Sequence, residues 1–319
     1  MHEFKLIKRF LQYATVWRPD VVLDSGDDCA IVKIPPGFVM AMSVDTSVEG
    51  THFLAGTDPY DIGYKSVAVS LSDAAAMGAT PAWLTLALTL PKVDTVWLDR
   101  FAEGVFALLN QHNIQLVGGD LTRGPLSITT QIQALLPEGK ALTRKAAKIG
   151  DDVYVTGTLG DAGLALATIQ NKLPKLSIEY QMMIESRLNR PTPRIELGQV
   201  LLDIAHAAID LSDGLMGDFA HILQQSSVGA EIELTKIPLS EVLNTLSKKE
   251  AWCLALTAGD DYELCFTAPS YQREAIQTIA HHHKTPITRI GKMTQTKALK
   301  FLQSDGSVFA PLWKGFEHF

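Results

Sequence analysis

The chain has few cysteines and no long apolar run. Its 319 residues include three cysteines, and no two of them stand at C-x-x-C spacing. A disulfide framework is therefore not expected, and a reducing compartment is the natural location. No stretch of about 18 apolar residues occurs, and charges interrupt the apolar pattern of the amino-terminal segment, so neither a membrane span nor a signal peptide is predicted. We expect a cytoplasmic protein with no membrane partner.

Positive charge is also scarce. The chain has 28 Lys and Arg against 35 Asp and Glu, a net charge of −7 at pH 7. Without a basic block, a nucleic-acid-binding face is not expected. The G-x-x-x-x-G-K-[ST], H-E-x-x-H and G-x-S-x-G patterns are absent too, which argues against the enzyme classes built on them. An acidic protein that handles anions needs metal ions or a few well-placed arginines.

Hydrophobic residues make up 46% of the chain, enough for a sizeable core. Helical and strand-like periodicities alternate in both halves, and the composition shifts to Gly, Lys and Arg near residues 137–148. We therefore predict an α+β fold of two domains rather than one large parallel sheet. The first, over residues 1–137, is an α/β domain with a mixed or antiparallel sheet. The second, over residues 148–319, is α+β.

The tripeptide Gly-Asp-Asp begins at Gly26, Gly150 and Gly259, each time ahead of an apolar, β-prone stretch. Such paired carboxylates can form turns, mark a repeat or bind a metal. The two halves do not align residue by residue, so the tripeptide is weak support for duplication.

Asp73 is out of place for a structural residue. A helix is predicted over 61–77, and at about 100° per residue Asp73 shares a face with Ile62, Ser66 and Val69. A buried, unpaired carboxylate is costly. Asp73 is therefore expected either to bond a backbone N–H or an arginine, or to bind a metal.

Three further stretches hold polar groups near strand ends. Asp210, Ser212 and Asp213 sit at a strand-to-helix turn, where Ser212 or Asp213 could be a plain N-cap or the group could hold Mg²⁺. Gly118-Gly119, after a strand predicted at 115–117, allows close approach of a ligand beside Asp120 or forms a hairpin turn. The last group, at the end of the strand predicted at 38–44, contains Ser43, Asp45, Thr46 and His52.

Taken together, these motifs resemble the thiamine-monophosphate kinases, in the ATP-binding superfamily that includes aminoimidazole ribonucleotide synthetase. The similarity runs from about residue 26 to the last residue. Its main stretches are GDDCAIV, SVDTSVEGTHF, LVGGDLTRG, AIDLSDGLMGDFAHI, GDDYELCF and WKGFEHF. The set is far more specific than any one motif, and a related synthetase would not share the THF and WKGFEHF elements together.

The resemblance implies a synthetase-like fold, a homodimer joined through the amino-terminal domains, and ATP-dependent phosphorylation of thiamine monophosphate to thiamine diphosphate. It implies several Mg²⁺ ions held by Asp28, Ser43, Val44, Asp45, Asp73, Asp120, Asp210 and Asp213. Nucleotide contacts are implied for Gly119, Asp120, Arg144 and Ser212, with catalytic roles for Asp120, Arg144 and Asp210. Contacts to the thiamine phosphate are implied for His52, Thr257, Asp260 and Trp313.

Elementary chemistry agrees with this assignment. Phosphoryl transfer needs positioning and charge neutralisation, which clustered carboxylates provide by recruiting Mg²⁺. A phosphate acceptor is mostly ionised near neutral pH, so no strong general base is required. The alternatives are another ATP-dependent synthetase of the superfamily and a non-catalytic sensor of ATP or thiamine phosphate.

Overall fold

The computed structural model describes residues 3–311, which form two compact units. Residues 3–74 and 79–140 form the first unit, and residues 75–78 and 141–311 form the second. Trp313 and the rest of the WKGFEHF element lie outside the described residues.

The first unit contains a four-stranded sheet flanked by helices. Its sheet has the order β3-β6-β4-β5, in which β4 and β5 run parallel and the other neighbours antiparallel. This confirms the mixed sheet that the sequence predicts. The elements are α1 (Glu3–Leu11), β1 (Val21–Leu23), β2 (Ile31–Val32), β3 (Phe38–Val48), α2 (Pro59–Ala76), β4 (Thr80–Leu90), α3 (Thr95–Gln111), β5 (Gln115–Arg123) and β6 (Ser127–Pro137).

Helix α3 makes the crossover that parallel β4 and β5 require. Asp94 begins it as an N-cap, because its side chain accepts the N–H groups of Val96 and Trp97. On its buried face, Phe101 and Phe106 contact the ring of Phe10 from α1. The same packing therefore fixes α1 against α3.

Two strands run further than the sequence predicts, and both carry site residues. β3 extends to Val48, so Ser43 and Asp45 lie within the strand and not at its end. β5 extends to Arg123 through Gly118 and Gly119, and the hairpin-turn alternative is therefore wrong. The reason is close pairing with β4: a Cβ on Gly119 would lie 2.0 Å from the Leu86 carbonyl oxygen.

The second unit is built on a larger, mostly antiparallel sheet. The strand order is β13-β12-β9-β11-β7-β10-β8, with β9 and β12 parallel. Its elements are β7 (Asp152–Thr156), α4 (Asp161–Ile169), α5 (Ile178–Asn189), α6 (Ile195–Leu201), β8 (Ala207–Asp210), α7 (Leu215–Ser226), β9 (Gly229–Glu233), α8 (Lys248–Thr257), β10 (Leu264–Ala268), α9 (Arg273–His282), β11 (Ile287–Thr294), β12 (Leu299–Leu302) and β13 (Val308–Phe309).

A buried ion cluster ties the helices of this unit to its sheet. Glu263, fully buried just before β10, accepts hydrogen bonds of 2.6 Å from Arg187, Arg194 and the Thr156 hydroxyl. Burial alone would raise the pKa of Glu263, but the bonds and charges of Arg194 and Arg187 lower it below its usual range. Glu263 is thus held ionised inside the core.

No helix within residues 3–311 is both long and apolar enough to cross a membrane.

We predict that Glu263→Gln lowers the free energy of unfolding by roughly 3–5 kcal/mol at neutral pH, because it leaves two arginines without their buried counter-charge. Since the folded-state pKa of Glu263 lies below the ordinary 4.5, this stabilisation is present above that pH and is lost as the solution is acidified. Urea unfolding at pH 7 and at pH 4 measures both effects.

Glu231→Gln is the matched control for this prediction. Glu231 lies in the same sheet and forms a partly exposed pair with Lys300, 3.2 Å from Oε1 to Nζ. Its loss should cost about 1 kcal/mol or less. Equal effects of the two substitutions would contradict the role given to the buried cluster.

Candidate active site

Two aspartates meet between β3 and α2 in the first unit. Ser43 on β3 donates its hydroxyl hydrogen to Asp73 Oδ2 on α2. Ser70 on α2 donates to Asp45 Oδ2 on β3, at 2.7 Å. Each element thus supplies one carboxylate and the hydroxyl that binds the other carboxylate. We call these four residues the crossed Ser–Asp pairs.

The electrostatics of this arrangement favour a cation. Burial and then the charge of Asp73 raise the pKa of Asp45 to about 6, although the hydrogen bond from Ser70 opposes the shift. Two ionised carboxylates side by side are therefore unfavourable on their own. A bound cation would relieve both the repulsion and the desolvation.

The donor set fits Mg²⁺ as a partial site. Among residues 3–311 no group of three or more carboxylate, imidazole or thiol side chains converges as a metal site. Mg²⁺, however, is commonly bound through one or two protein carboxylates, with water and substrate phosphates completing its octahedron. Asp45 and Asp73 meet that requirement. Val44 has an exposed apolar side chain, so only its backbone oxygen could contribute.

A cavity of about 540 Å³ brings other predicted residues of this unit together. One part of its wall is apolar and comes from α1 and β4, including Ile7 and Leu86. The polar part includes Asp28, Gly119 and Asp120. The first Gly-Asp-Asp and the Gly-Gly-Asp of β5 therefore line one space, although they are far apart in the sequence.

His52 is held at the end of β3. The ring Nδ1 accepts the Val48 backbone N–H at 3.0 Å, and the backbone N–H of His52 donates to the Val48 carbonyl oxygen at 2.9 Å. Because Nδ1 is an acceptor, the neutral ring carries its proton on Nε2. The ring is therefore fixed in both orientation and tautomer.

In the second unit, the turn between β8 and α7 carries three predicted residues. Asp210 is the buried last residue of β8, and Ser212 and Asp213 follow it. The N-cap alternative for Ser212 or Asp213 is wrong, since the N-cap of α7 is Gly214.

Asp218 satisfies the backbone of that turn. Its Oδ2 accepts the N–H groups of Asp213 at 2.9 Å and Gly214 at 3.1 Å. Burial raises the pKa of Asp218 to about 7, although these N–H bonds oppose the shift. The sequence analysis does not single out this carboxylate. The signal that could have revealed it is an acidic residue in the first turn of a helix whose N-cap is glycine.

The third Gly-Asp-Asp lies against the same turn. The Asp260 N–H donates to the Ser212 carbonyl oxygen and the Tyr262 N–H to that of Leu211, both at 2.8 Å. Gly259 has a φ of +73°, and a Cβ there would lie 2.4 Å from the Ser212 carbonyl oxygen. Asp260 is therefore placed beside Ser212, as a shared site requires.

Two other predicted residues are used differently. The buried Thr257 hydroxyl donates to the Cys253 carbonyl oxygen inside α8, so its bond is structural. Arg144 is not brought to the turn within this unit. Its carbonyl oxygen accepts from Ser226 at the far end of α7, a 12-residue helix about 18 Å long. The proposed contacts of both residues stay predictions.

The second Gly-Asp-Asp has structural partners. Asp152 begins β7 and forms ion pairs with Arg273 at 2.6 Å and Arg289 at 3.3 Å. Asp151 lies 2.9 Å from the Nδ1 of His206. Of the alternatives for the tripeptide, these contacts favour a structural role for this copy.

Comparison with known proteins identifies the family. Residues 26–135 match the amino-terminal domain of AIR synthase related proteins, and residues 148–302 match the carboxyl-terminal domain. The thiamine-monophosphate kinase of Escherichia coli strain K12 is 49% identical over 319 residues, covering 99% of this chain and 98% of that protein. The chain belongs to the thiamine-monophosphate kinase family. The family predicted from the motifs is thus confirmed, and so is the prediction of a phosphotransferase.

Solved structures of the thiamine-monophosphate kinase family have the same fold. The crystal structure of the enzyme from Stenotrophomonas maltophilia K279a is 42% identical and superposes with a TM-score of 0.88, covering 97% of this chain and 98% of that one. The structure of AaThiL complexed with AMPPCP and TMP is 29% identical, with a TM-score of 0.78 and coverage of 99% and 97%. The predicted α+β fold is therefore confirmed.

The bonds of Asp218 yield a stability prediction. Asp218→Leu leaves the Asp213 and Gly214 N–H groups without an acceptor, at a cost of about 1–3 kcal/mol for each group that stays buried. Asp218→Asn retains an acceptor oxygen and should lose clearly less. Urea unfolding of the two variants measures the difference. Equal losses would show that the two N–H bonds do not stabilise the turn.

Proposed function

We propose that the chain transfers the γ-phosphoryl group of ATP directly to the phosphate of thiamine monophosphate, forming thiamine diphosphate and ADP in thiamine biosynthesis. The observation that carries this proposal is 49% identity over the full length to a thiamine-monophosphate kinase. The complex of a relative with AMPPCP and TMP supports ATP and thiamine monophosphate as the two substrates.

We assign Mg²⁺ to the carboxylates of both units. When bound, it would neutralise phosphate charge and bridge phosphate oxygens. Asp45 and Asp73 support the assignment, because burial and mutual repulsion make the pair favour a cation. The remaining proposed ligands are Asp28, Ser43, the Val44 backbone oxygen, Asp120, Asp210 and Asp213.

The cavity of the first unit supports the nucleotide contacts proposed for Gly119 and Asp120. Its volume of about 540 Å³ lies in the range of small-molecule sites. An apolar wall beside exposed carboxylates suits a ligand with an aromatic base at one end and metal-bound phosphates at the other. Ser212 and Arg144 are the proposed nucleotide contacts in the second unit.

The proposed acceptor contacts are His52, Asp260, Thr257 and Trp313. His52 is a donor rather than a base in this role, since its Nδ1 already accepts the Val48 N–H. A phosphate acceptor is mostly ionised near neutral pH and needs no proton removed. The fixed ring is therefore suited to orienting the acceptor.

The experiment that tests the function is ³¹P NMR of the purified protein with ATP, MgCl₂ and thiamine monophosphate, against controls lacking each component. We expect diphosphate resonances of thiamine diphosphate, with ADP formed one for one. ADP with free phosphate and no thiamine diphosphate would instead favour a synthetase-like reaction. Binding of both ligands without any turnover would favour a sensor.

Aspartate variants test the metal assignment in the same assay. Asp73→Asn and Asp210→Asn should lower turnover at least 100-fold, because each loses a metal-binding charge but keeps its shape. Asp152→Asn is not a suitable control, since it removes the buried charge that pairs with Arg273 and Arg289. Glu231→Gln is suitable, because Glu231 pairs at the surface of the second unit. Near-normal turnover in both aspartate variants would contradict the assignment.

We also propose a homodimer, formed through the open edge of the first unit's sheet. β3 is an edge strand of 11 residues, and Met42 and Val44 on its outer face are 61% and 60% exposed. A long edge strand with exposed apolar side chains is unusual in a monomer. Light scattering after size exclusion should give about twice the chain mass of 34.8 kDa, and a Met42→Lys, Val44→Lys double variant should give a smaller species. A single-chain mass for the wild type would contradict the dimer.

A cytoplasmic location is proposed on the basis of the three cysteines. None of the three forms a disulfide in the described residues: Cys29 is exposed, and Cys253 and Cys265 are buried. Free thiols of this kind are typical of a reducing compartment.

A further inference from the structure

Ser70 is a buried hydroxyl to which the proposed reaction gives no role. It is fully enclosed on α2 and cannot touch a ligand directly. Its Oγ donates to Asp45 Oδ2 at 2.7 Å and lies 2.8 Å from Thr130 Oγ1 on β6. Thr130 in turn donates its hydroxyl hydrogen to the carbonyl oxygen of Ser66 at 2.9 Å. A short chain of hydroxyl groups therefore ends on the Asp45 carboxylate.

The number of hydroxyl hydrogens determines which groups donate in this series of hydrogen bonds. Asp45, when ionised, only accepts, so the single hydroxyl hydrogen of Ser70 goes to the carboxylate. The hydroxyl hydrogen of Thr130 then lies between two acceptors, the Ser70 oxygen and the Ser66 carbonyl oxygen. To the extent that this hydrogen is shared with the Ser70 oxygen, it polarises the Ser70 hydroxyl toward Asp45 and strengthens that bond.

Ser66 shows that this use of Ser70 is not required by the helix. Ser66 lies one turn earlier on α2 and is also buried, but its hydroxyl donates back to the Gly63 carbonyl oxygen at 2.9 Å. A buried serine in a helix is commonly satisfied in that local way. Ser70 instead points out of its helix at a carboxylate on another element.

We propose that Ser70, supported by Thr130, is a positioning residue that fixes the orientation of the Asp45 carboxylate for a divalent cation. The proposal rests on the Mg²⁺ assignment made above. Asp73 is oriented by Ser43, which is itself a proposed ligand. Ser70 is different, because it acts on the cation only through Asp45. Substitution of a group that orients a metal-ligating carboxylate typically lowers metal affinity or activity about 10–100-fold.

The test uses Mn²⁺ as the probe, in the full-length protein without nucleotide, with free Mn²⁺ measured by electron paramagnetic resonance. The relevant site is the one that Asp73→Asn abolishes. We expect Ser70→Ala to weaken Mn²⁺ binding at that site about tenfold or more. Ser66→Ala removes an equally buried hydroxyl from the same helix and should stay within about twofold of the wild type.

A second pair of variants keeps the test decisive if Ser70→Ala does not fold. Thr130→Val removes the supporting hydroxyl at nearly constant shape and should weaken Mn²⁺ binding, whereas Thr130→Ser keeps the hydroxyl and should restore it. Thermal unfolding of the four variants separates lost packing from lost orientation. We expect Ser70→Ala and Ser66→Ala to be destabilised to a similar extent.

The possible failures are distinguishable. If no Mn²⁺ site is lost in Asp73→Asn, the two carboxylates hold no divalent cation by themselves and this proposal falls, whereas the ³¹P NMR assay tests the proposed function separately. If the site exists but Ser70→Ala and Thr130→Val bind Mn²⁺ like the wild type, the positioning role alone is wrong. A loss in Ser66→Ala equal to that in Ser70→Ala would also overturn it, because packing of α2 would then be the cause.

Discussion

Repulsion between Asp45 and Asp73 is the constraint around which the first unit is arranged. The two carboxylates are held close because α2 is buried along most of its length, with Val67 and Leu71 among its fully buried apolar side chains. The apolar contacts thus hold together two charges that would separate in water. Hydrogen bonds from the serine hydroxyls offset part of the repulsion and desolvation of the two carboxylates, yet the pKa of Asp45 stays raised. A protein of net charge −7 keeps this unfavourable pair where a cation bound to phosphates would offset it.

Local sequence signals are sufficient for the helix that carries Asp73. The apolar pattern predicts a helix over 61–77, and α2 spans Pro59–Ala76. Its end at Gly78 was readable because glycine accepts the left-handed conformation found there, with a φ of +72°. Asp73 could be singled out because a carboxylate on an apolar helix face needs a partner. The family resemblance then supplied roles that no local pattern contains.

Features that depend on tertiary pairing could not be predicted in this way. The sequence predicts this strand only over 115–117, because the two glycines that follow lower strand propensity. Pairing with β4 overrides that propensity and extends β5 to Arg123. The hydrogen bond from Ser70 to Asp45 joins residues 25 positions apart in the chain, so it forms only once α2 has met β3. Helix α8 is a different case. Its capping box, from Ser247 to Glu250, is visible in the sequence and was overlooked.

The strand order has a consequence for folding during synthesis on the ribosome. β6 lies between β3 and β4 in the sheet, but it is the last of the four strands to be synthesised. β4, α3 and β5 can assemble by themselves as a local unit, whereas β3 has no partner until β6 emerges. Roughly 80 residues separate the two strands, about 4–16 s of translation at 5–20 residues per second. During that interval β3, which bears Ser43 and Asp45, lacks a paired strand on either edge.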